Sequence, residues 1–243
     1  TYKATAMMHV PKADMSKWNP DVIKRLSLVR VVVGQHVPDE LKPYVDYVHG
    51  LGVKMSVNIT YVADLSNETV LSEMKRAADM GIDYIFCADS SGSFSPNSSM
   101  RISRLLTDNC GRMIPGVHLH DHMNMAMANA LVARDCGIQM TDVSVTGAGK
   151  GGGNLKMEQG LLLLYGKDAV SYELLVGLNN MITYFAGKIG RDKNFYSQAF
   201  VDFLTGLFHL SLKATDTLET ESGMNPIKYF KMVTDEYKPF DVE

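Results

Sequence analysis

The amino-acid sequence predicts an α/β fold built around a parallel β-sheet. Six short runs rich in valine and isoleucine alternate with segments whose apolar residues recur at helical spacing. A strand and a helix every roughly 25–30 residues indicate right-handed βαβ units. The runs are almost continuously apolar, as expected for strands that are covered on both faces. The predicted strands are residues 4–10, 28–33, 54–61, 84–88, 116–120 and 141–146.

The segments between and after these strands set the domain organisation. The predicted helices between strands are residues 41–48, 70–80, 100–106 and 125–136. Beyond residue 160 the strands stop, and helices are predicted at residues 172–189, 197–215 and 226–237. We therefore expect an α/β domain at residues 1–160 and a small helical C-terminal domain at residues 161–243. Six strands fit either an open doubly wound sheet or a barrel that lacks two of its eight βα units.

Composition and charge argue against several classes of function. The 243 residues carry a net charge of −3, which gives no reason to expect binding to nucleic acid or to an anionic membrane. We find no apolar run of the ~18 residues that a transmembrane helix needs and no signal peptide. Three cysteines without paired spacing fit a reducing cytosol, so we expect a cytoplasmic protein. The chain opens on Thr1 and enters a strand almost at once, as if a preceding segment were missing.

Two histidines near the end of the fifth predicted strand are the leading candidates for metal ligands. His118 and His120 are two residues apart, so their side chains project to the same side and could reach one divalent cation. Two imidazoles do not complete such a site, because metals of this kind take four to six ligands. The alternative is a pair of hydrogen-bonded interior histidines. His122 follows at the same alternation, and we expect it to support the site or the structure.

Two other strand ends carry candidate substrate contacts. Ser90 follows the fourth strand and either donates a hydrogen bond to a substrate carboxylate or carbonyl, or belongs to a plain turn. The glycine-rich residues 147–154 could cradle a phosphate, form a tight turn with positive φ, or let the backbone approach the site closely. We favour close approach, with Asn154 and Glu158 facing the site. No serine or cysteine nucleophile pattern is evident.

These segments resemble a family of metal-dependent aldolase, lyase and acyl-transferase barrels. The family includes 4-hydroxy-2-oxovalerate aldolase, HMG-CoA lyase and 2-isopropylmalate synthase, and the first of these is the most similar. The resemblance covers most of the chain. It rests on Asp89-Ser90-Ser91-Gly92, Gly116-Val117-His118-Leu119-His120, Ala126-Met127-Ala128-Asn129, the loop from Gly147 through Asn154 to Glu158, and Arg30-Val31.

The resemblance implies a fold, a cofactor and a reaction. The fold is a TIM (β/α)8 barrel, of which this chain holds strands three to eight, with a small helical C-terminal domain. His118 and His120 would bind a divalent metal, Mn²⁺ first, with Mg²⁺, Co²⁺ and Zn²⁺ as alternatives. Ser90 would contact the substrate, and Asn154 is our second predicted substrate contact. The enzyme would be a carbon–carbon lyase that reversibly cleaves a 4-hydroxy-2-oxoacid to pyruvate and an aldehyde, with the metal as Lewis acid.

The sequence also departs from the family pattern. In the family an Arg-Asp pair ends the first strand and a histidine base follows, but no such segment exists here. The catalytic residues are therefore unassigned, and two βα units are either truncated or supplied by another chain. The family's strand histidine falls on Gly34, its C-terminal tyrosine falls on Phe200, and His122 takes the place of an asparagine.

The family resemblance also suggests partners and two alternative functions. In bacterial aldolases the C-terminal helices dock an acylating aldehyde dehydrogenase, and residues 161–243 would serve that purpose or form a homodimer. One alternative function is an acyl-CoA lyase or synthase of the HMG-CoA lyase type, because Asp121 follows His120 here as it does there. The other is a catalytically incomplete scaffold or partner protein.

Overall fold

A computed structural model gives the fold of two compact units. It describes residues 3–9, 12–165, 177, 181, 184, 205, 210–223, 228, 229, 232 and 233. The unit that we call the sheet unit comprises Thr1–Asp89, Asn97–His118 and Val132–Asp142. The unit that we call the loop unit comprises Ser90–Pro96, Leu119–Leu131 and Val143–Glu243. The predicted domain boundary at residue 160 stays a prediction.

Six β-strands form one sheet in the order β1-β2-β3-β4-β5-β6. They are β1 Thr5–His9, β2 Leu28–Val33, β3 Lys54–Ile59, β4 Tyr84–Asp89, β5 Ile114–Leu119 and β6 Met140–Thr141. The described ladders are parallel, with Arg30 in register with Ser56 and Gly116 in register with Met140. A doubly wound sheet reverses its strand order, whereas barrel strands follow one another in sequence. The consecutive order therefore decides between the two architectures and confirms an α/β fold of the TIM-barrel type.

The described α-helices connect and follow these strands. They are α1 Pro20–Ile23, α2 Lys42–Gly50, α3 Asn67–Met80, α4 Pro96–Asn109, α5 Ala126–Asp135, α6 Met157–Tyr165 and α7 Leu212–Ser222. Short 3-10 turns are formed by Met15–Lys17, Asp39–Leu41, Val62–Asp64 and Val145–Gly147. Within the described residues, none of the helices combines the length and the apolar character that a membrane crossing requires.

Local backbone chemistry explains two of the differences between the predicted and the observed elements. The sixth strand is predicted at residues 141–146 but has only two residues, since a 3-10 turn with Thr146 at φ 57 replaces its second half. The helix predicted at residues 197–215 does not run through residues 210–211. There Ser211 caps a new helix, α7, by accepting a hydrogen bond from the Ala214 N–H at 3.2 Å. Most of the remaining C-terminal prediction lies outside the described residues.

The two faces of the sheet differ in chemistry, and this difference positions the candidate site. Val31, Val57 and Ile85 alternate with the polar residues and are fully buried. The buried sides of α2 and α3 supply more apolar residues, including Val48 and Val70. The opposite face carries Arg30, Ser56, Asn58, Phe86 and His118 at alternating positions.

Candidate active site

The structure places the two predicted metal ligands at the carboxyl end of β5. His118 lies within the strand, and His120 lies one residue beyond its last residue, Leu119. The predicted strand included His120, but His120 lies outside β5 and its backbone forms an isolated antiparallel bridge with Asn154. The carboxyl ends of parallel strands are where such folds place their active sites.

In the sheet unit, His118 is held by a carboxylate that the sequence analysis did not single out. The ring nitrogen Nδ1 of His118 lies 2.9 Å from Oδ2 of Asp142. Arg30 donates two hydrogen bonds to the same carboxylate, at 2.6 Å to Oδ1 and 2.7 Å to Oδ2. Burial alone would raise the pKa of Asp142, but the hydrogen bonds and charges of His118 and Arg30 outweigh it and hold the pKa below its ordinary value.

The position of Arg30 is fixed in turn by an aromatic ring. The Cζ atom of Arg30 lies 4.3 Å from the ring centroid of Phe86, which is a cation–π contact. Phe86 can occupy that place because residue 116 is glycine: a β-carbon there would lie 2.5 Å from Cε1 of the ring. Arg30 also approaches Oδ1 of Asn58 at 3.4 Å. Gly116, which stands two residues before His118 in the motif, is therefore required by packing.

In the loop unit, the side-chain nitrogen of Asn154 is hydrogen-bonded, whereas its side-chain oxygen has no hydrogen-bond partner among the described residues. Its amide nitrogen donates to the Ala148 carbonyl at 2.9 Å. Its Oδ1 atom is buried and has no hydrogen-bond partner among the described residues. A buried acceptor without a partner is costly, so it points to a ligand or a water molecule at this position. The side chain of Glu158, which was expected to face the same site, lies outside the described residues.

His122 explains why the neighbouring segments are rich in glycine. Its side chain is almost fully buried, and neither ring nitrogen has a hydrogen-bond partner in the part of the chain that the structure describes. Burial lowers the pKa of His122 to about 4, so the ring is neutral at physiological pH. A β-carbon would meet the ring at 2.5 Å if placed on Gly92 and at 2.2 Å if placed on Gly151, and it would meet the His122 backbone at 2.5 Å if placed on Gly152. The glycine-rich loop therefore approaches His122 closely.

Asp121 and Asn129 of the loop unit have structural roles. The Asp121 carboxylate accepts a hydrogen bond from the Ala126 N–H at 2.9 Å, directly at the start of α5. Burial raises the pKa of Asp121. Asn129 donates from its amide to the Phe94 carbonyl at 2.8 Å and so ties α5 to the segment after β4. Ser90 is buried immediately after β4, at the predicted position.

No complete metal cluster is formed by acidic, histidine or cysteine side chains in the described ranges of the chain. No group of three or more such described side chains is close enough to hold an ion. The roles of His118 and His120 as ligands, and of Ser90 and Asn154 as substrate contacts, stay predictions. Phe200 lies outside the described residues.

A match to a family model now identifies the class of protein. Residues 32–176, more than half of the chain, match the model described as HMGL-like. The chain belongs to the HMGL-like family, which confirms the resemblance predicted from its motifs.

Individual relatives share part of the chain. It is 31% identical over 134 residues to the 4-hydroxy-2-oxovalerate aldolase of Pseudomonas putida. It is 27% identical over 133 residues to the oxaloacetate decarboxylase of Mycobacterium tuberculosis. Each match covers 55% of this chain but only 39% of the relative, so the matched segment spans about two fifths of either relative.

A crystal structure gives the same fold. The N-terminal domain of a proposed aldolase from Bacteroides vulgatus superposes with a TM-score of 0.76 over 94% of this chain and 76% of that chain. The sequence identity is 24%, so this likeness shows the fold alone.

Proposed function

We propose that this protein is a divalent-metal-dependent aldolase that cleaves or forms 4-hydroxy-2-oxoacids, with pyruvate and an aldehyde as the other reactants. The observation that carries the proposal is His118 at the carboxyl end of β5, fixed through Nδ1 by the partly buried carboxylate of Asp142. This arrangement is typical of histidines that ligate metals. The 31% sequence identity to a 4-hydroxy-2-oxovalerate aldolase over 134 residues supports the choice of reaction.

The residues present suit a divalent ion. His118 and His120 stand two residues apart near the end of one strand, and imidazole nitrogen binds several first-row metals. The unsatisfied Oδ1 of Asn154 would accept a hydrogen bond from a substrate hydroxyl. Further ligands would come from substrate, water or residues outside those described. We propose Mn²⁺, with Mg²⁺, Co²⁺ and Zn²⁺ as alternatives, because nitrogen and oxygen donors suit all four.

The chemistry divides between the ion and the chain. A bound divalent ion would act as a Lewis acid toward the 2-oxoacid carbonyl and carboxylate and favour the enolate of pyruvate. Ser90 would orient the substrate through its hydroxyl, and Asn154 would hold a second polar group of it. Ser90 is buried and the amide nitrogen of Asn154 is anchored, so both side chains would bind without much loss of conformational freedom. The group that moves the proton is unassigned.

The direct test measures pyruvate release. The chain, with any upstream segment its gene encodes, is incubated with a racemic 4-hydroxy-2-oxoacid and Mn²⁺, and pyruvate is followed by coupled reduction to lactate. We expect turnover that a chelator abolishes and Mn²⁺ restores. His118→Gln should abolish it, whereas His49→Gln, which removes a histidine paired with Asp83 on the surface, should not. Turnover that survives the chelator, or that is equal in His118→Gln, would overturn the proposal.

An acyl-CoA lyase or synthase of the HMG-CoA lyase type is the second candidate, favoured by the HMGL-like family match. The sequence feature that suggested it, Asp121 after His120, is weaker support than expected, because Asp121 caps α5. Release of acetyl-CoA from a 3-hydroxyacyl-CoA, without pyruvate release from the oxoacid, would select this candidate.

A catalytically incomplete scaffold or partner protein is the third candidate, and its support is Phe200 at the position of the family's C-terminal tyrosine. Stoichiometric metal together with turnover would exclude it. We propose that residues 161–243 dock an acylating aldehyde dehydrogenase or a second copy of the chain. Most of that segment lies outside the described residues. Co-purification and sedimentation would separate the two partners.

A further inference from the structure

The Arg30–Asp142–His118 cluster of the sheet unit is partly buried, and its short hydrogen bonds converge on one carboxylate. The side chains of these three residues are 14%, 20% and 25% exposed, respectively. One carboxylate accepts all three short hydrogen bonds of the cluster, two from the guanidinium and one from the imidazole. Exposed ion pairs contribute little, but partly buried, bidentate ones fix geometry.

The cluster dictates which nitrogen of His118 carries the proton. An ionised carboxylate can only accept hydrogen bonds, so Nδ1 of His118 must be the donor. In a neutral ring the lone pair then lies on Nε2, on the opposite side of the ring from Asp142. The ring plane is fixed at the same time, because the Nδ1–H bond must point at Oδ2.

We propose that Asp142 is a positioning residue that sets the tautomer and orientation of His118, so that Nε2 is the nitrogen offered to the ion, with Arg30 as the clamp on the carboxylate. This inference rests on the proposed function only for the identity of the ligand that Nε2 binds. The tautomer itself is a property of the metal-free chain. Metal-binding histidines commonly donate their other ring nitrogen to a carboxylate in this way.

The clamp depends on features that only arginine provides. Its planar group donates to both carboxylate oxygens and stacks on the Phe86 ring. A lysine would offer one point charge and would leave Asp142 free to rotate. Replacing Arg30 with lysine should therefore loosen the carboxylate without removing it, which predicts a smaller effect than changing Asp142 itself.

The competing interpretation is that the cluster only stabilises the fold. The surface pair His49–Asp83 separates the two interpretations, because it has the same 2.9 Å nitrogen-to-oxygen distance but no arginine clamp among the described residues. Asp83 also accepts a hydrogen bond from the Met55 N–H at 2.8 Å, as a structural carboxylate does. Asp83→Asn is therefore the matched control for Asp142→Asn.

The experiment has two readouts on the wild type, Asp142→Asn, Arg30→Lys and Asp83→Asn. Long-range ¹H–¹⁵N NMR of the metal-free chain assigns the His118 tautomer, and calorimetric titration with Mn²⁺ alone gives the affinity. We expect Nδ1–H in the wild type, loss of that tautomer in Asp142→Asn, and Mn²⁺ affinity lower by about 10- to 100-fold. Arg30→Lys should fall between, and Asp83→Asn should match the wild type.

Each outcome decides the inference. An Nε2–H ring in the wild type overturns it, and so does unchanged Mn²⁺ affinity in a folded Asp142→Asn variant. If the wild type binds no Mn²⁺, the proposed function fails, and the NMR result alone decides the positioning role. A melting temperature and circular dichroism spectrum for each variant distinguish lost positioning from lost folding.

Discussion

Gly151→Ala probes the packing of the glycine-rich loop around His122 more sharply than any other single change. Gly151 has φ +56, a region that L-residues rarely adopt. A β-carbon there would lie 2.2 Å from Nε2, 3.0 Å from Cδ2 and 3.2 Å from Cε1 of His122. All three nearest atoms belong to one side-chain ring, so the clash has a single identifiable source.

The expected loss of stability has two parts. The left-handed conformation disfavours alanine by about 1–2 kcal/mol relative to glycine. Overpacking a close-packed site adds about 1–3 kcal/mol. The free energy of unfolding of Gly151→Ala should therefore fall by about 2–5 kcal/mol. Since His122 is almost fully buried and sits between two loops, it has little room to move away.

Two other glycines separate these contributions. Gly111 has φ +57, but a β-carbon added there would meet no described atom within 4 Å, so its alanine variant should show the backbone effect alone. Gly50 lies in α2 without a positive φ and is also open, so alanine there should be neutral or stabilising by up to about 1 kcal/mol. The assay is urea unfolding monitored by circular dichroism.

A double-mutant cycle with His122→Ala tests the source of the clash. Once the ring is removed, Gly151→Ala should cost only the backbone part, about 1–2 kcal/mol, as Gly111→Ala does. An equal cost in both backgrounds, or a Gly151→Ala variant no less stable than Gly111→Ala, would refute the account of why the loop is rich in glycine.

Two further predictions concern the sheet unit. Gly116→Ala should displace Phe86 and, from an overpacking cost of about 1–3 kcal/mol, lower the melting temperature by roughly 3–10 °C. Gly34 has open space around it, so Gly34→Ala should leave the melting temperature unchanged. Equal melting temperatures for the two variants would contradict this packing. Burial raises the pKa of Cys87 to about 12, so only about one in ten thousand of its thiols is ionised at pH 8. Iodoacetamide at pH 8 should label the other two cysteines in the folded chain and spare Cys87, and equal labelling of all three by mass spectrometry would contradict its burial.

The sequence predicted the elements whose signal is local. The apolar runs located all six strands, and β2 agrees at both ends, because continuous valine is a strong signal for a covered strand. Strand order, which decides between a barrel and a doubly wound sheet, depends on long-range pairing that the residues alone do not reveal. The end of β6 and the start of α7 were missed because Thr146 and Ser211 change the backbone locally.

In the candidate site, too, local signals in the sequence were predictive and long-range contacts were not. His118 and Ser90 were identifiable because polar residues at strand ends stand out against apolar runs. Asp142 was not, because its pairing with Arg30 spans 112 residues and no periodicity reports it. Its position directly after β6 was a signal, but the predicted strand ran past it. The glycine-rich loop was predicted to approach the site closely, whereas its packing against His122 emerges only from the structure.

A Mn²⁺ titration followed by electron paramagnetic resonance tests whether His118 helps to hold a divalent ion. The free ion gives a sharp six-line signal that broadens on binding. We expect one bound Mn²⁺ per wild-type chain, unchanged binding in His49→Gln and loss of binding in His118→Gln. Equal binding by His118→Gln and the wild type, or no binding by either, would contradict it.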